Sequence, residues 1–465
     1  MKQLFKALTF TLICAILLCG CNMDDFELNA PAREIENAYL NDAGELILVY
    51  TDGDEVNVGR VVGENGKDGL DGEKGDKGDK GDKGDKGDTG AAGQDGLDGA
   101  DGEDGLVTIT DEERAIALAT AQGLLSSVSV LCGFSNGATT ATSGGAGFIY
   151  QLNKDTGDAY IITNFHVVYN ATYSSVNEGI STNIRCYLYG GEVSKSRIPA
   201  TYVGGSHYYD IAVLKVSGSE VLKSSFAAAA DIASSNDLHL GQRAVAIGYP
   251  EGMGISATVG AISVTSEKMS CKPAEDRDAV TMRVIRFDGA VNHGNSGGGL
   301  YNSEGKLIGI VNARSSDNKV VGFGYAIPSS AVVAVSDNII RTCDGETVRT
   351  PQIADFGAST RLARSEGIYN TETGLIDIVD SYAIDTTTLG SLTLTGIANE
   401  AGFIDGDIIT GITVNGSDYP IPRGYYIEEL MLTLEEGDVL EIFYTRGALS
   451  RSATVTVTED MIISH

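Results

Sequence analysis

From Gly63 to Gly105 every third residue is glycine, fifteen in succession without a break. Few patterns constrain a chain so tightly. Three chains in the left-handed polyproline II conformation can wind about one axis only where each gives that axis a residue with no side chain at every third position. The same geometry dictates the oligomer, because such a helix needs three chains. At roughly 3.1 Å per residue the stretch would span on the order of 130 Å. It holds no proline, so its stability would lean on the Lys-Gly-Asp steps from Lys74 to Asp88, where lysine and aspartate of adjacent chains can pair. Exposed pairs contribute little singly, and only repetition makes them count. A polar, unstructured linker is the competing reading.

This is the collagen period, and the segments before it suggest what it stands on. Lys2 and Lys6 precede an apolar run from Ala7 to Leu18, an export-signal arrangement too short to span a bilayer as a helix. Leu18-Cys19-Gly20-Cys21 resembles a bacterial lipobox. By that resemblance residues 1–20 are removed and Cys21 carries the lipid, which makes the membrane a partner and the cell envelope, facing periplasm or exterior, the location. An ordinary secretory signal is the alternative. Residues 21–62 read as a small β head, with a hairpin of 45–50 and 55–58 around Asp52-Gly53. A net charge of −31 argues against nucleic acid as a partner.

Beyond the repeat, Thr110 and Glu113 form a capping box and predict a helix to about residue 125. Short apolar runs separated by Gly, Asn and Ser follow at 128–134, 147–152, 159–163, 184–189, 211–216, 243–247, 257–263, 280–287, 306–312 and 323–327. Such spacing argues for antiparallel β barrels. An apolar stretch at 329–340 predicts a closing helix. The chain is therefore expected to be mostly β.

Within that region lies Asn292-His293-Gly294-Asn295-Ser296-Gly297-Gly298-Gly299. Glycines let the backbone turn sharply, so that successive N–H groups converge on one developing oxyanion while the serine hydroxyl stays accessible. Upstream, Thr163-Asn164-Phe165-His166-Val167-Val168 ends an apolar run in a histidine, and Asp210-Ile211-Ala212-Val213-Leu214-Lys215 sets an aspartate before another. Serine is a weak nucleophile until a base takes its proton, histidine serves near neutral pH, and a carboxylate fixes the tautomer. The order His166, Asp210, Ser296 is the order of chymotrypsin-type enzymes.

These motifs, with Ser143-Gly144-Gly145-Ala146-Gly147-Phe148 and Gly322-Phe323-Gly324-Tyr325-Ala326-Ile327, resemble the HtrA/Deg family of trypsin-like serine proteases over about three quarters of the chain. The resemblance implies a chymotrypsin-like double β-barrel at 106–345, with His166, Asp210 and Ser296 catalytic. It implies an oxyanion hole from Gly294, Asn295 and Ser296, and no cofactor or metal. Its specificity pocket would use Ala290, Val311, Asn312, Ala313, Gly322, Phe323 and Gly324. No acid or base stands there, which favours a small or medium apolar side chain at the cleavage site. His293 stands where the family often has proline, and Gly299 where proline or alanine is usual. His207 and His293 read as solvent-facing loop histidines.

After a polar linker at 346–365, residues 366–460 resemble a PDZ domain, carried by Gly402-Phe403-Ile404-Asp405-Gly406-Asp407-Ile408-Ile409 and Val414-Asn415-Gly416. PDZ domains add a peptide to a sheet edge and hold its terminal carboxylate on backbone N–H groups. That carboxylate loop is expected between Gly374 and Tyr382. Cys132, Cys186, Cys271 and Cys343 leave disulfide pairing open, with buried thiols as the alternative. The reading is an envelope-anchored serine endopeptidase, trimeric through its stalk, acting on polypeptides and binding their C-termini. A collagen-stalked adhesin, scaffold or chaperone with a protease-like binding head is the alternative.

Overall fold

The computed structural model describes residues 35–40, 45–50, 55–60, 110–172, 179–190, 196–272, 278–312, 322–343, 350–371, 373–386, 394–419 and 426–464. Cys21, the glycine repeat and Ala313 lie outside the described residues. The chain divides into two compact units, residues 1–106 and 107–465.

In the first unit, β1 (Ile35–Leu40), β2 (Glu45–Tyr50) and β3 (Glu55–Arg60) form an antiparallel sheet in that order. The β2–β3 hairpin, with Leu48 opposite Val56, is the one expected from Asp52-Gly53. Strand β1 was not foreseen.

The second unit opens with α1 (Asp111–Ser126), whose capping box is formed: Glu113 N–H donates to Thr110 Oγ1 at 3.1 Å, and Thr110 N–H donates to Glu113 Oε2 at 2.8 Å. Two closed antiparallel barrels follow. The first runs β4 (Ser127–Ser135), β5 (Thr140–Asn153), β6 (Asp158–Thr163), β9 (Ile211–Val216), β8 (Ile198–Ser206) and β7 (Asn183–Leu188) around its wall. The second runs β10 (Arg243–Gly248), β11 (Ser256–Cys271), β12 (Val280–Phe287), β15 (Gly324–Pro328), β14 (Leu307–Asn312) and β13 (Gly299–Asn302).

Strand alternation explains how the barrels fill and join. Successive side chains leave opposite faces, so Ile149 and Ile161 enter the first barrel's core while Phe148 and Ile162 enter a core shared with the second. That shared core also takes Val245, Ile247, Val284 and Ile310 from the second barrel and Val332, Val335 and Ile339 from α3 (Ser329–Thr342). A strand buried on both faces reads as an unbroken apolar run, which is why β9 was plain in the sequence. Strands β8 and β13 were missed. Pro199, Gly204 and Gly205 interrupt the first, and the second begins inside a glycine run.

The remaining residues make a third body of sheet and helix. β17 (Ser359–Tyr369), β18 (Ile376–Asp385), β19 (Ile408–Val414), β21 (Val439–Arg446) and β22 (Leu449–Thr456) lie in that order, with β17 at one edge. β20 (Ser417–Tyr419) pairs with β19, and β16 (Gln352–Ala354) pairs with β23 (Ile462–Ser464). Helices α4 (Gly396–Glu400) and α5 (Tyr426–Thr433) pack on a core of Phe356, Ile384, Phe403, Ile412, Leu430 and Leu440. Leu432 of α5 also joins the core shared by the barrels, so this body is packed onto them.

This corrects the linker expected at 346–365. Strand β16 and the first part of β17 occupy half of it. Residues 361–369 are exposed along their whole length, so the strand had no inside-outside alternation to betray it. The cysteines are free thiols, Cys132, Cys186 and Cys271 buried and Cys343 half-buried. Burial pushes the Cys132 thiol up to about 12.

Candidate active site and C-terminal groove

His166 lies on α2 (Phe165–Val168), a single turn that follows β6 directly. Asp210 ends the turn between β8 and β9 with φ of 50°, a left-handed backbone uncommon outside glycine. The conformation is held by its surroundings: Asp210 O accepts from Phe165 N–H at 3.1 Å and from Asn164 Nδ2 at 2.8 Å. It turns the carboxylate, only 1% exposed, towards the histidine. Nδ1 of His166 donates to Asp210 Oδ2 at 2.7 Å, and the His166 backbone N–H donates to Oδ1 at 3.0 Å. A third donor, Asn312 Nδ2, reaches Oδ2 at 3.0 Å from the end of β14. Both carboxylate oxygens are thus satisfied without solvent.

Ser296 sits in the loop before β13, and the loop is tied to both barrels. Ser296 O accepts from Ala146 N–H at 2.9 Å, while Gly297 N–H donates to Val311 O at 2.9 Å, one residue before Asn312. Thr163, close to His166 in sequence, donates its hydroxyl to Ala146 O at 2.7 Å. A short chain of bonds therefore links the elements that carry His166, Asp210 and Ser296. Gly297 has φ of 87°, and a Cβ there would strike the Ala146 carbonyl and the Thr163 hydroxyl. Only glycine serves at that position.

Two family matches bear on this arrangement. Residues 145–310 match the trypsin-like peptidase domain, a stretch that contains His166, Asp210 and Ser296, and residues 57–108 match the collagen triple helix repeat. The serine protease Do-like HtrA of Lactococcus lactis subsp. cremoris is 27% identical over 363 residues, which cover 73% of this chain and 78% of that protein. The serine protease Do-like HtrA of Bacillus subtilis is 35% identical over 201 residues, covering 43% of this chain and 40% of that protein. The probable periplasmic serine endoprotease DegP-like of Brucella suis is 31% identical over 287 residues, covering 60% of this chain and 46% of that protein. The chain is an HtrA-like serine endopeptidase.

The protease departs from several sequence expectations about its site. Asn295 was expected in the oxyanion hole, but its N–H donates to Asn292 O at 3.1 Å and so is used inside the loop. Gly298 N–H likewise donates to Asn295 O at 3.0 Å. Val311 was expected as a pocket wall, yet its side chain is fully buried with Ile285, Phe287 and Ala326 in the second barrel's own core. Asn312 turns to Asp210 instead. Ala290 and Gly322 are exposed, and Gly324 packs against Phe287 and Val291. The Arg286 guanidinium lies over the Phe323 ring at 5.1 Å, which sets a cation beside a wall read as uncharged. His293 is exposed, and the His207 ring lies 6.4 Å from that of Phe165.

A second concavity lies where the C-terminal body meets the protease barrels. This groove, of about 380 Å3, is lined by residues 353–360, Thr395, Ile427, Glu428 and Met431, with Tyr209 contributed by the first barrel. Its floor is the loop from Asp355 to Ala358. Asp355 O, Phe356 O and Gly357 O accept from Ile397, Ala398 and Thr395 N–H, so the carbonyls point towards α4. Among the described residues the N–H groups of Phe356, Gly357 and Ala358 have no backbone partner. The loop expected between Gly374 and Tyr382 is instead the turn into β18 and the strand itself.

Proposed function

We propose that the protease cleaves exposed polypeptide segments through an acyl-enzyme, with Ser296 as nucleophile, His166 as base and Asp210 as its orienting carboxylate. Ser296 Oγ attacks the scissile carbonyl carbon and His166 Nε2 takes its proton. As the C–N bond breaks, the same proton passes to the leaving amine. Water then adds to the acyl group by the reverse use of His166, releasing the acid and restoring Ser296. The oxyanion is assigned to the N–H groups of Gly294 and Ser296; those of Asn295 and Gly298 donate within the loop, and that of Gly297 donates to Val311 O on β14. The observation that carries this reading is the double hold of Asp210 on His166, through Nδ1 at 2.7 Å and through the backbone N–H at 3.0 Å. Ser296→Ala is expected to abolish casein hydrolysis while leaving the unfolding transition in place. Wild-type turnover by that variant would sink the assignment.

The C-terminal body is read as a PDZ-like module that takes chain ends. Its edge strand β17, the facing helix α5 and the N–H groups of Phe356, Gly357 and Ala358 between them support this, because carboxylates are captured by such backbone nests. Residues 1–105 would hold the enzyme in the envelope, lipidated at Cys21 and trimerised by the glycine repeat. The periplasmic designation of the Brucella relative agrees with that location. A Gly84→Ala substitution should lower the melting temperature of the trimer in sedimentation and circular dichroism measurements, because only glycine fits the axis. An unchanged trimer would argue for assembly through other surfaces.

A further inference from the structure

We propose that the C-terminal groove selects chain ends carrying lysine or arginine among their last few residues, and that Glu428 is the residue that selects them. This rests on the chain-end reading above and adds the class of ligand.

The argument starts from the charges on α5. Glu428 and Glu429 are consecutive, and they have opposite fates. Glu429 accepts both the Nε and Nη2 groups of Arg283, at 2.5 Å and 2.6 Å, and the Ser330 hydroxyl at 2.8 Å. Arg283 is thereby committed. Glu428 lines the groove, and among the described residues no side chain forms an ion pair or hydrogen bond with it. Burial raises its carboxyl, its own backbone N–H and the field of Lys268 work against that rise, and Glu429 adds to it. The other acid on the groove wall, Asp355, accepts the Thr395 hydroxyl at 2.8 Å. No lysine or arginine lines the groove. A half-buried carboxylate with no ion pair, in a groove whose lining holds no cation, is stabilised most by a cation that the ligand brings.

The rest of the lining fits the other parts of such a ligand. Ile353, Phe356, Ile427 and Met431 offer apolar contact for an aliphatic terminal side chain and for the methylene stem of lysine or arginine. The Phe356–Ala358 N–H groups offer the terminus its carboxylate site. The two polar demands are opposite in sign and are met by different walls, the loop for the anion and α5 for the cation. A peptide with an acidic residue in place of the basic one would set two carboxylates together, at a cost in affinity.

The test measures binding by fluorescence anisotropy at pH 8, on the full chain carrying Ser296→Ala so that the probes survive. Four labelled peptides share one apolar sequence: lysine, norleucine or glutamate at the variable position near a free carboxyl terminus, and the lysine peptide amidated. The expected order is lysine tightest, norleucine about tenfold weaker and glutamate weaker still, a span typical of one desolvated charge pair. Glu428→Gln should bring the lysine and norleucine peptides to the same Kd. Equal affinity for those two in the parent protein, or a lysine preference that survives Glu428→Gln, overturns the proposal while the chain-end reading stands. Binding of none of the four, or equal binding of the amidated and free lysine peptides, overturns the chain-end reading and this inference with it.

Discussion

Arg283 on β12 and Glu429 on α5 form a two-pronged ion pair, Nε to Oε1 at 2.5 Å and Nη2 to Oε2 at 2.6 Å, with side chains 2% and 4% exposed. It fastens the C-terminal body to the second barrel. Ser330 at the start of α3 bonds to both partners, so three elements meet at one buried charge pair.

A pair so placed is a liability when half of it is removed. Arg283→Met leaves Glu429 charged and buried, and should lower unfolding free energy by about 3–5 kcal/mol. The double variant Arg283→Met, Glu429→Leu should recover most of that, because no unpaired charge remains. Urea unfolding of the two singles and the double gives the coupling directly. Additive losses would mean that the pair is not coupled in solution.

Asn312 carries a second prediction. Its Nδ2 is one of three donors on the Asp210 carboxylate, and that carboxylate orients His166. Asn312→Leu should lower kcat while leaving KM near its parent value. A hydrogen bond to a charged group contributes about 1.5–3 kcal/mol, or roughly ten- to a hundredfold in rate. Asn312→Ser, which keeps a donor, should restore part of it. A rise in KM with kcat unchanged would return Asn312 to the pocket wall.

That residue also shows where reading the chain alone runs out. The segments around His166, Asp210 and Ser296 announce themselves because each is a local pattern of chemistry beside an apolar run. Asn312 was legible as a neighbour of Val311 on a strand, but its bond to Asp210 crosses 102 positions, and no local signal encodes that reach. The Arg283–Glu429 pair spans 146 positions and was invisible for the same reason. The carboxylate loop failed differently. A glycine with a left-handed backbone stands before a strand at both Gly357 and Gly374, with φ of 76° and 72°, and only the first has α4 packed behind it. The barrels were readable because most of their strands bury at least one face. β17, open on both, was not.

Glu428 yields a pH prediction. Burial raises its carboxyl to about 7 from the ordinary 4.5, with its own backbone N–H and Lys268 opposing and Glu429 adding to the rise. The folded state therefore holds a proton that the unfolded chain has released. Stability from this group is present below about pH 4.5 and is lost as pH rises towards 7. Other carboxylates act in the opposite sense, so the informative quantity is the difference between parent and Glu428→Gln. The variant's Tm should gain on the parent's between pH 5 and pH 8. A difference that stays flat across that range would place the carboxyl in solvent.

Tyr209 joins the two sites. It precedes Asp210, is 6% exposed, lines the groove beside Glu428, and stacks edge-on against Tyr208 at 4.9 Å. Asp210 keeps its left-handed backbone because the residues around it are fixed, so loosening Tyr209 frees the turn that aims the carboxylate. Met431 lines the same groove from α5 and has no such connection. Tyr209→Ala should therefore weaken chain-end peptide binding and also lower kcat for casein-derived peptides. Met431→Ala should weaken binding with kcat unchanged. Steady-state kinetics on both variants, with thermal unfolding to set aside global loss, separates the cases. Equal kcat in the two would mean that the groove and the candidate triad share a wall without sharing a response.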